Sequence, residues 1–330
     1  MHIDLPHKTT AKPMKAIVYS IKPFEIAFLD SSNDDQHELT FEAKSLDLSS
    51  ADLAKDNLAV IVFTNDDVSA PVIEKLHDLG VKYVVTRSTG TDHIDKDAIK
   101  EHGLHWANVP SYSPQAIAEH AVAMAFALNR RLVKSDAHSH HFDFRNDGLV
   151  GFNFCGKTIG IVGMGSTGKA AAKIYNGLGC NVIAYDPYFP KDVEQVEPVT
   201  LELLFSSADV ISLHLPLTED TKYLICKQTL DQMKDGVMII NTSRGGLIKT
   251  TDALQALEEG KIGYLGLDVY EYEKHLFFED HRDDLVKDTL LTELLKRENV
   301  LITPHQAYLT KEALKEIATI TIQSLNNWNV

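Results

Sequence analysis

Short apolar runs alternate with amphipathic stretches along most of this chain. Ala16-Ile17-Val18-Tyr19, Ala59-Val60-Ile61-Val62-Phe63 and Tyr83-Val84-Val85-Thr86 are continuous and too short for helices. Runs of this kind predict strands covered on both faces, as in parallel sheets. Between them, segments such as Val72-Ile73-Glu74-Lys75-Leu76 have helical spacing, so the order predicts βαβ units. A long helix is expected from Ser113-Pro114, with serine as N-cap and proline in the first helical position. It is apolar almost all round from Ala121 to Leu128 and should be buried on more than one side, between domains or against a second subunit. A second alternating series runs from Lys157 to about Pro304. Lys311 to Trp328 reads as one amphipathic helix, with Leu314, Ile317, Ile320 and Ile322 on or near its apolar face. The stretch from Tyr272 to Arg297 is long for a connection, and its Leu276-Phe277-Phe278 suggests a packed loop with short helices.

A length of 330 residues favours two domains. Pattern alone would put the boundary near Lys157. The formal net charge of -15 argues against nucleic acid and anionic membranes, while leaving room for a local basic pocket. No apolar run approaches the roughly 18 residues of a membrane-spanning helix. Met1 to Pro13 lacks a signal-peptide core and reads as a loose extension, so a cytoplasmic location is expected. Cys155, Cys180 and Cys226 are odd in number and have no metal-like spacing. They suggest neither a disulfide framework nor a zinc site, but small buried hydrophobes in a reducing compartment.

Candidate chemistry begins at Gly163-Met164-Gly165-Ser166-Thr167-Gly168, a G-x-G-x-x-G turn. The bare motif is weak, but its context is complete. Thr158-Ile159-Gly160-Ile161-Val162 precedes it as a buried strand, and Ala171, Ile174, Tyr175 and Leu178 follow at helical spacing. Asn181 to Tyr185 forms the next strand and ends in Asp186, about 20 residues past the glycines. The glycines let the backbone approach a pyrophosphate at the helix N-terminus, and Asp186 can accept from ribose hydroxyls. A tight turn holding no ligand would leave Asp186 unexplained. Its carboxylate would repel a 2′-phosphate, and Pro187-Tyr188 supplies no arginine, so NAD is favoured over NADP.

Two further strand ends carry reactive groups. Val237-Met238-Ile239-Ile240-Asn241 leads into Thr242-Ser243-Arg244-Gly245, which places a guanidinium where ligands bind in open α/β sheets. Its fixed donors suit a carboxylate and an adjacent carbonyl. His305 follows Val300-Leu301-Ile302-Thr303-Pro304. With 15 histidines in the chain, position alone says little, and Glu273 shares its acidic stretch with Glu271.

Taken together, the segments around Gly163, Asn241 to Gly246, Gly266 to Glu273 and Thr303 to Ala307 resemble the NAD-dependent D-isomer-specific 2-hydroxyacid dehydrogenases. Arg87-Ser88-Thr89-Gly90-Thr91-Asp92 and Val109-Pro110-Ser111-Tyr112-Ser113-Pro114 fit the same pattern, and the likeness runs from Met14 to the C-terminus. Phe277-Phe278-Glu279-Asp280 is typical of the lactate branch.

The resemblance implies an α/β fold of two Rossmann-like domains, each a doubly wound parallel sheet. A flavodoxin-like substrate domain, 1–112 plus 307–330, would be interrupted by an NAD-binding domain, 113–306. Substrate would lie in the cleft, and closure would exclude water. Arg244 would hold the substrate carboxylate and polarise the keto oxygen, and His305 would give that oxygen its proton. Glu273, five residues after Asp268, would bond the other ring nitrogen of His305. Members resembling formate dehydrogenase carry glutamine at that position and are disfavoured. Asp268 would contact the nicotinamide end of the cofactor. Ser166, Thr167, Leu215, Pro216, Thr242 and Ser243 would line the cofactor path with Gly163, Gly165, Gly168 and Asp186. Backbone amides of Thr89 and Gly90 would bind the substrate carboxylate, with Tyr112 close by.

The implied reaction is reversible reduction of pyruvate to D-lactate by NADH. It needs a hydride at carbon, a proton at oxygen and positive charge near the developing alkoxide, but no metal. The rivals are another 2-keto acid (glyoxylate, phenylpyruvate or a branched acid) and an NAD-binding regulatory protein without turnover. The expected partners are the small-molecule substrate and further copies of the chain, as a homodimer or homotetramer.

Overall fold

The computed structural model describes residues 13–274, 276–284 and 288–328. All of the expected N-terminal extension except Pro13 lies outside them. The chain divides into two compact units, Met1–Ser113 with Thr310–Val330, and Pro114–Leu309.

The first unit is built on five parallel strands: Lys15–Val18 (β1), Glu38–Phe41 (β2), Ala59–Val62 (β3), Tyr83–Thr86 (β4) and His105–Ala107 (β5). Their spatial order is β2-β1-β3-β4-β5, that of flavodoxin-like sheets. Helices Pro23–Asn33 (α1), Ala70–Asp78 (α2) and Lys96–Glu101 (α3) join β1 to β2, β3 to β4 and β4 to β5, and a short 3-10 turn, Ala51–Ala54, lies between β2 and β3. Successive strand residues point to opposite faces, and both faces are covered. Val60, Val62 and Val84 pack with Ile73 and Leu76 of α2 on one side. Ala16, Val18, Ile61 and Val85 meet Leu29 of α1 and Ala318, Ile322 and Leu325 of the C-terminal helix Lys311–Trp328 on the other. Two covered faces are why β3 is apolar without alternation.

Side-chain contacts fix the returning helix to this sheet. His37 Nε2 lies 2.9 Å from Asn326 Oδ1, and Trp328 stacks on Tyr83 with centroids 4.8 Å apart. At the carboxyl end of β4, Arg87 is buried and donates to Glu25 and to Tyr19 O. That bracing precedes the turn holding Thr89 and Gly90. Nearby Asp66 accepts from Ser20 Oγ and from the amides of Leu46 and Phe63. Burial nonetheless raises its carboxyl above the usual range.

The second unit opens with helices Pro114–Asn129 (α4) and Leu132–Ser139 (α5). Strand Thr158–Val162 (β6), helix Ser166–Gly177 (α6), strands Asn181–Tyr185 (β7) and Glu197–Pro198 (β8), helix Leu201–Ser207 (α7) and strand Val210–Leu213 (β9) follow. Then come helix Lys227–Leu230 (α8), strand Val237–Asn241 (β10), helix Thr250–Glu258 (α9), strand Ile262–Leu267 (β11), helix Thr289–Leu295 (α10) and strand Val300–Ile302 (β12). All seven strands are parallel, in the order β12-β11-β10-β9-β6-β7-β8. Counted from β6, this is the dinucleotide-binding order with one strand added. The order reverses between β6 and β9, so the binding crevice is expected at their carboxyl ends.

Three expectations meet the structure here. The run Ala121 to Leu128 is indeed buried on two sides: α4 packs against α6 and against β10, β11 and β12, and only Ala123 in that run is exposed. Its cover comes from its own unit, so the apolar helix does not by itself call for a second subunit. A run of exposed apolar side chains lies further on, at Leu132, Val133, Phe142, Phe144 and Val150. The long stretch after Tyr272 does contain a short helix, α10, and buries Phe277; residues 275 and 285–287 lie outside the described set.

The cysteines differ from expectation. Cys180 is buried, Cys226 is half-buried and Cys155 is exposed. Phe154 takes the inward position of that turn, and the Cys180 thiol donates to Phe154 O at 3.3 Å. Burial, with Cys155 nearby, pushes the Cys180 thiol up to about 11.

Candidate active site

The three glycines of the nucleotide turn do three different jobs. Gly163 follows β6 with φ +94, where an L side chain is strained. A Cβ there would also lie 2.2 Å from His214 O, so the turn is pressed against the end of β9 at the switch point. A Cβ on Gly168 would lie 2.0 Å from Gly163 O, which lets α6 start hard against the strand. Gly165 is the N-cap of α6, and a Cβ there would meet nothing within 4 Å. Gly165 and Ser166 are exposed at a helix end whose backbone amides lack intrahelical acceptors. A diphosphate fits that open position, because the helix dipole and free amides favour an anion.

Asp186 follows β7 and turns back to the same place. One carboxylate oxygen accepts from Met164 N at 2.7 Å and the other from Tyr188 N at 2.8 Å. Each oxygen retains acceptor capacity for a ribose hydroxyl. Further along the sheet edge, Thr242 Oγ1 and His214 Nδ1 are buried with no hydrogen-bond partner among the described residues. His214 Nε2 lies 2.8 Å from Ser212 Oγ, and burial pushes the ring's pKa down to about 4, so it is neutral in ordinary conditions. Leu215 and Pro216 follow on the same loop. These features fit a dinucleotide lying across the switch point.

Arg244 sits on a turn shaped by the residues around it. Asn241, fully buried at the end of β10, donates from Nδ2 to Arg244 O at 2.8 Å and accepts from Ser243 N at 3.0 Å. Ser243 Oγ donates to Leu213 O at 2.8 Å, tying this turn to β9. A Cβ on Gly245 would lie 2.1 Å from the Tyr270 backbone, so only glycine lets the chain pass there. The half-buried guanidinium donates from Nη1 to Ser243 O at 2.7 Å.

His305 has a left-handed backbone, φ +53, a conformation costing a non-glycine residue about 1–3 kcal/mol. Its amide donates to Asp268 O at 2.8 Å. Its ring Nδ1 lies 2.9 Å from Glu273 Oε1, while Glu273 Oε2 accepts from Tyr270 N at 2.8 Å. An ionised carboxylate can only accept, so Nδ1 carries the proton of that bond. Nε2 is then the nitrogen able to give or take a proton. Glu271, the other acid of the stretch, points elsewhere: it accepts from Tyr223 Oη at 2.7 Å and Thr250 N at 2.9 Å.

The Asp268 carboxylate is buried and occupied within the protein. It accepts from Gln306 N at 2.9 Å, Ala307 N at 2.8 Å and Thr303 Oγ1 at 2.5 Å. His120 Nε2, on α4, stands 3.3 Å from the same carboxylate and 3.1 Å from Thr303 Oγ1. Sequence reading missed His120, since no local pattern links it to Thr303. It also missed His214, although a residue directly following the buried strand β9 could have been found by the rule that found Arg244.

Thr89, Gly90 and Tyr112 belong to the other unit. Thr89 Oγ1 donates to Val109 O at 2.8 Å, Asn108 Nδ2 donates to Thr89 O at 2.9 Å, and Ser88 Oγ donates to Gly90 O at 2.7 Å. These bonds hold the turn after β4 in shape.

A sheet edge equipped in this way suits hydride transfer coupled to proton transfer, the work of a nicotinamide-dependent oxidoreductase. Comparison with known proteins narrows the class. Residues 122–307 match the family model described as D-isomer specific 2-hydroxyacid dehydrogenase, NAD binding domain. The chain is 44% identical to the D-lactate dehydrogenase of Escherichia coli over 317 residues, 95% of this chain and 96% of that protein. It is 40% identical to 2-hydroxyacid dehydrogenase A of Aspergillus oryzae, over 96% and 92% of the two chains. Its fold matches that of the solved pyruvate reductase of Chlamydomonas reinhardtii with a TM-score of 0.92 at 40% identity, covering 97% of each chain. The chain belongs to the D-isomer specific 2-hydroxyacid dehydrogenases, a family of NAD-dependent oxidoreductases. Among the described residues no helix is long and apolar enough to cross a membrane, and no group of His, Cys, Asp and Glu side chains is placed to hold a metal ion.

Proposed function

We propose that this chain reduces pyruvate to D-lactate with NADH and catalyses the reverse oxidation. The observation that carries the reading is the His305–Glu273 contact on the sheet edge that also bears Arg244 and the nucleotide turn. The names of the Escherichia coli and Chlamydomonas relatives support pyruvate as the acceptor. NADH, when bound, supplies the hydride. Gly163, Gly165, Ser166, Thr167 and Gly168 cradle its diphosphate and Asp186 takes its adenosine ribose. Leu215, Pro216, Thr242 and Ser243 line its path, with Asp268 towards the nicotinamide end. Arg244 pairs with the substrate carboxylate and polarises the keto oxygen. His305 donates its Nε2 proton to that oxygen, and Glu273 holds the ring. Thr89 and Gly90 offer backbone amides to the carboxylate, with Tyr112 close to it. In this reading the first unit is the substrate domain, the second the NAD domain, and the protein works in the cytoplasm.

A coupled panel tests the substrate. NADH absorbance should fall fastest, by kcat/KM, with pyruvate among glyoxylate, phenylpyruvate and branched 2-keto acids, and the product should be the D isomer by chiral chromatography. A larger kcat/KM on another acid would move the assignment to that acid, the alternative favoured by the broader name of the Aspergillus relative. No turnover with any acid would leave a regulatory NAD-binding protein. In the same assay NADH should be strongly preferred to NADPH. Asp186→Ala should narrow that gap by removing a repulsive charge. It should also weaken both cofactors, because Met164 N and Tyr188 N lose their acceptor.

We further propose a homodimer, or a tetramer built from it. The exposed apolar side chains of Leu132, Val133, Phe142, Phe144 and Val150 crowd into one short stretch that also adjoins Gly151 to Phe154. Apolar side chains grouped in this way mark an interaction surface, and a second copy offers the same stretch about a two-fold axis. Sedimentation should give at least twice the 36.7 kDa chain mass. A stable monomer rules the assembly out.

A further inference from the structure

We propose that His120 is a positioning residue for His305, acting through the Thr303 hydroxyl and the Asp268 carboxylate. The inference rests on the reading of His305 as proton donor. It starts from proton counting. Thr303 has one hydroxyl proton, and its shortest contact is the 2.5 Å bond to Asp268 Oδ1. Asp268 already accepts two backbone amides, one on each oxygen, as an ionised carboxylate does. The hydroxyl proton therefore lies on the Asp268 bond, and Thr303 Oγ1 is the acceptor towards His120 Nε2 at 3.1 Å. Nε2 must carry a hydrogen. That same hydrogen faces Asp268 Oδ1, 3.3 Å from the ring nitrogen.

The effect reaches His305 from both sides along the chain. Thr303 lies two residues before it. Gln306 and Ala307, whose amides Asp268 holds, follow directly after it. The His305 amide itself is bonded to Asp268 O. Asp268 thus grips the strained turn at several points, and His120 grips Asp268 and Thr303 together. The grip has a firm base, because His120 stands on α4 beside Ala121, Met124 and Ala125, all buried in the unit's core. Met124 Sδ also lies 3.8 Å from Thr303 Oγ1. A donor on a long packed helix is a better anchor than one on a loop. Without it the turn can relax out of its left-handed conformation, and the ring leaves Glu273.

The experiment compares His120→Leu, which removes the donor, with His120→Gln, whose Nε2 amide restores one. Both are measured with whichever 2-keto acid the unmodified chain reduces fastest, so the identity of that acid does not enter. Leucine should lower kcat roughly 10- to 100-fold while the NADH dissociation constant, read by fluorescence, moves little. Glutamine should recover most of the loss. In Thr303→Val the hydroxyl is gone and the 3.3 Å contact with Asp268 remains, so adding His120→Leu should then cost less than it does alone.

A second readout needs neither substrate nor cofactor. The His305 Nδ1–H resonance, identified by its loss in His305→Gln, should exchange with solvent faster in His120→Leu but not in His120→Gln. If the unmodified chain reduces no 2-keto acid, the functional reading fails while this readout still judges the clamp. Undiminished kcat and exchange protection in His120→Leu, equal damage in the two His120 variants, or fully multiplicative losses with Thr303→Val would each overturn the proposal. Should His120→Leu fail to fold, Thr303→Val decides, since full kcat and protection there remove the hydroxyl from the clamp and overturn the proposal as stated.

Discussion

His305→Gln should lower kcat/KM for the preferred 2-keto acid by roughly 10²–10⁴-fold, the range that a positioned acid–base group contributes. NADH affinity should stay near normal, because the nucleotide turn lies on a different strand end. The expectation follows from the ring's one fixed bond. Glu273 accepts the Nδ1 proton at 2.9 Å, which leaves Nε2 for the proton exchange with substrate that the proposed mechanism assigns to it. Glutamine has no titrating group and cannot cycle a proton in either direction. Glu273→Gln should be intermediate in effect, for a reason visible in the hydrogen bonds. Glu273 takes two donors, His305 Nδ1–H on one oxygen and Tyr270 N–H on the other. Glutamine offers one acceptor oxygen, so one of the two donors must face an NH₂ group. Steady-state kinetics in both directions, with fluorescence titration of NADH, would check the pair. A His305→Gln enzyme that keeps full activity would remove His305 from the chemistry, and an unaltered Glu273→Gln enzyme would make the contact incidental.

Parts of this site were legible in the chain because they depend on short stretches. The turn from Gly163 to Gly168 needs a strand before it and a helix after it, and both announce themselves through apolar spacing. Strand β3 and the first four residues of β10 are uninterrupted apolar runs because helices cover both faces of their sheets, and Arg244 is found by following β10 to its end. What distance along the chain conceals was not legible. The apolar stripe of Lys311–Trp328 says that the helix is covered, but not by which sheet. The answer lies in contacts such as that of His37 with Asn326.

The choice between Glu271 and Glu273 shows a different limit. Pattern leaves them equal, and only family resemblance selected the acid five residues past Asp268. The structure separates them through Tyr223 and Thr250, which occupy Glu271, both well removed from it in sequence. Asp268 was visible as an acid at a strand end, yet its hold on the Gln306 and Ala307 amides depends on β11 and β12 lying side by side. His120 was invisible for the same reason. The apolar run in α4 was read correctly as buried, but a sequence cannot say whether the cover comes from the same chain.

Arg244→Lys should be as damaging as loss of the proton donor, although the charge is kept. The turn from Asn241 to Gly245 is over-determined. Asn241 spans it, Ser243 ties it to β9, and the close approach of Gly245 to Tyr270 leaves no room for adjustment. A backbone held this firmly delivers a planar fork of donors in one orientation. Lysine offers a compact ammonium on a flexible stem and cannot contact a carboxylate and the adjacent keto oxygen with the same geometry. In the proposed reaction the contact at the keto oxygen matters most, because negative charge grows there in the transition state. Loss of one such donor elsewhere costs roughly 10²–10³-fold in kcat. A comparable fall in kcat/KM is expected here, with NADH affinity nearly unchanged. Raising the 2-keto acid concentration should recover only part of it, since binding and transition-state contacts are both lost. If Arg244→Lys weakens NADH as much as it weakens the 2-keto acid, the arginine supports the nucleotide turn and the substrate carboxylate is held by another group. If catalysis is untouched, the charge alone suffices and the fork geometry has no part in the reaction.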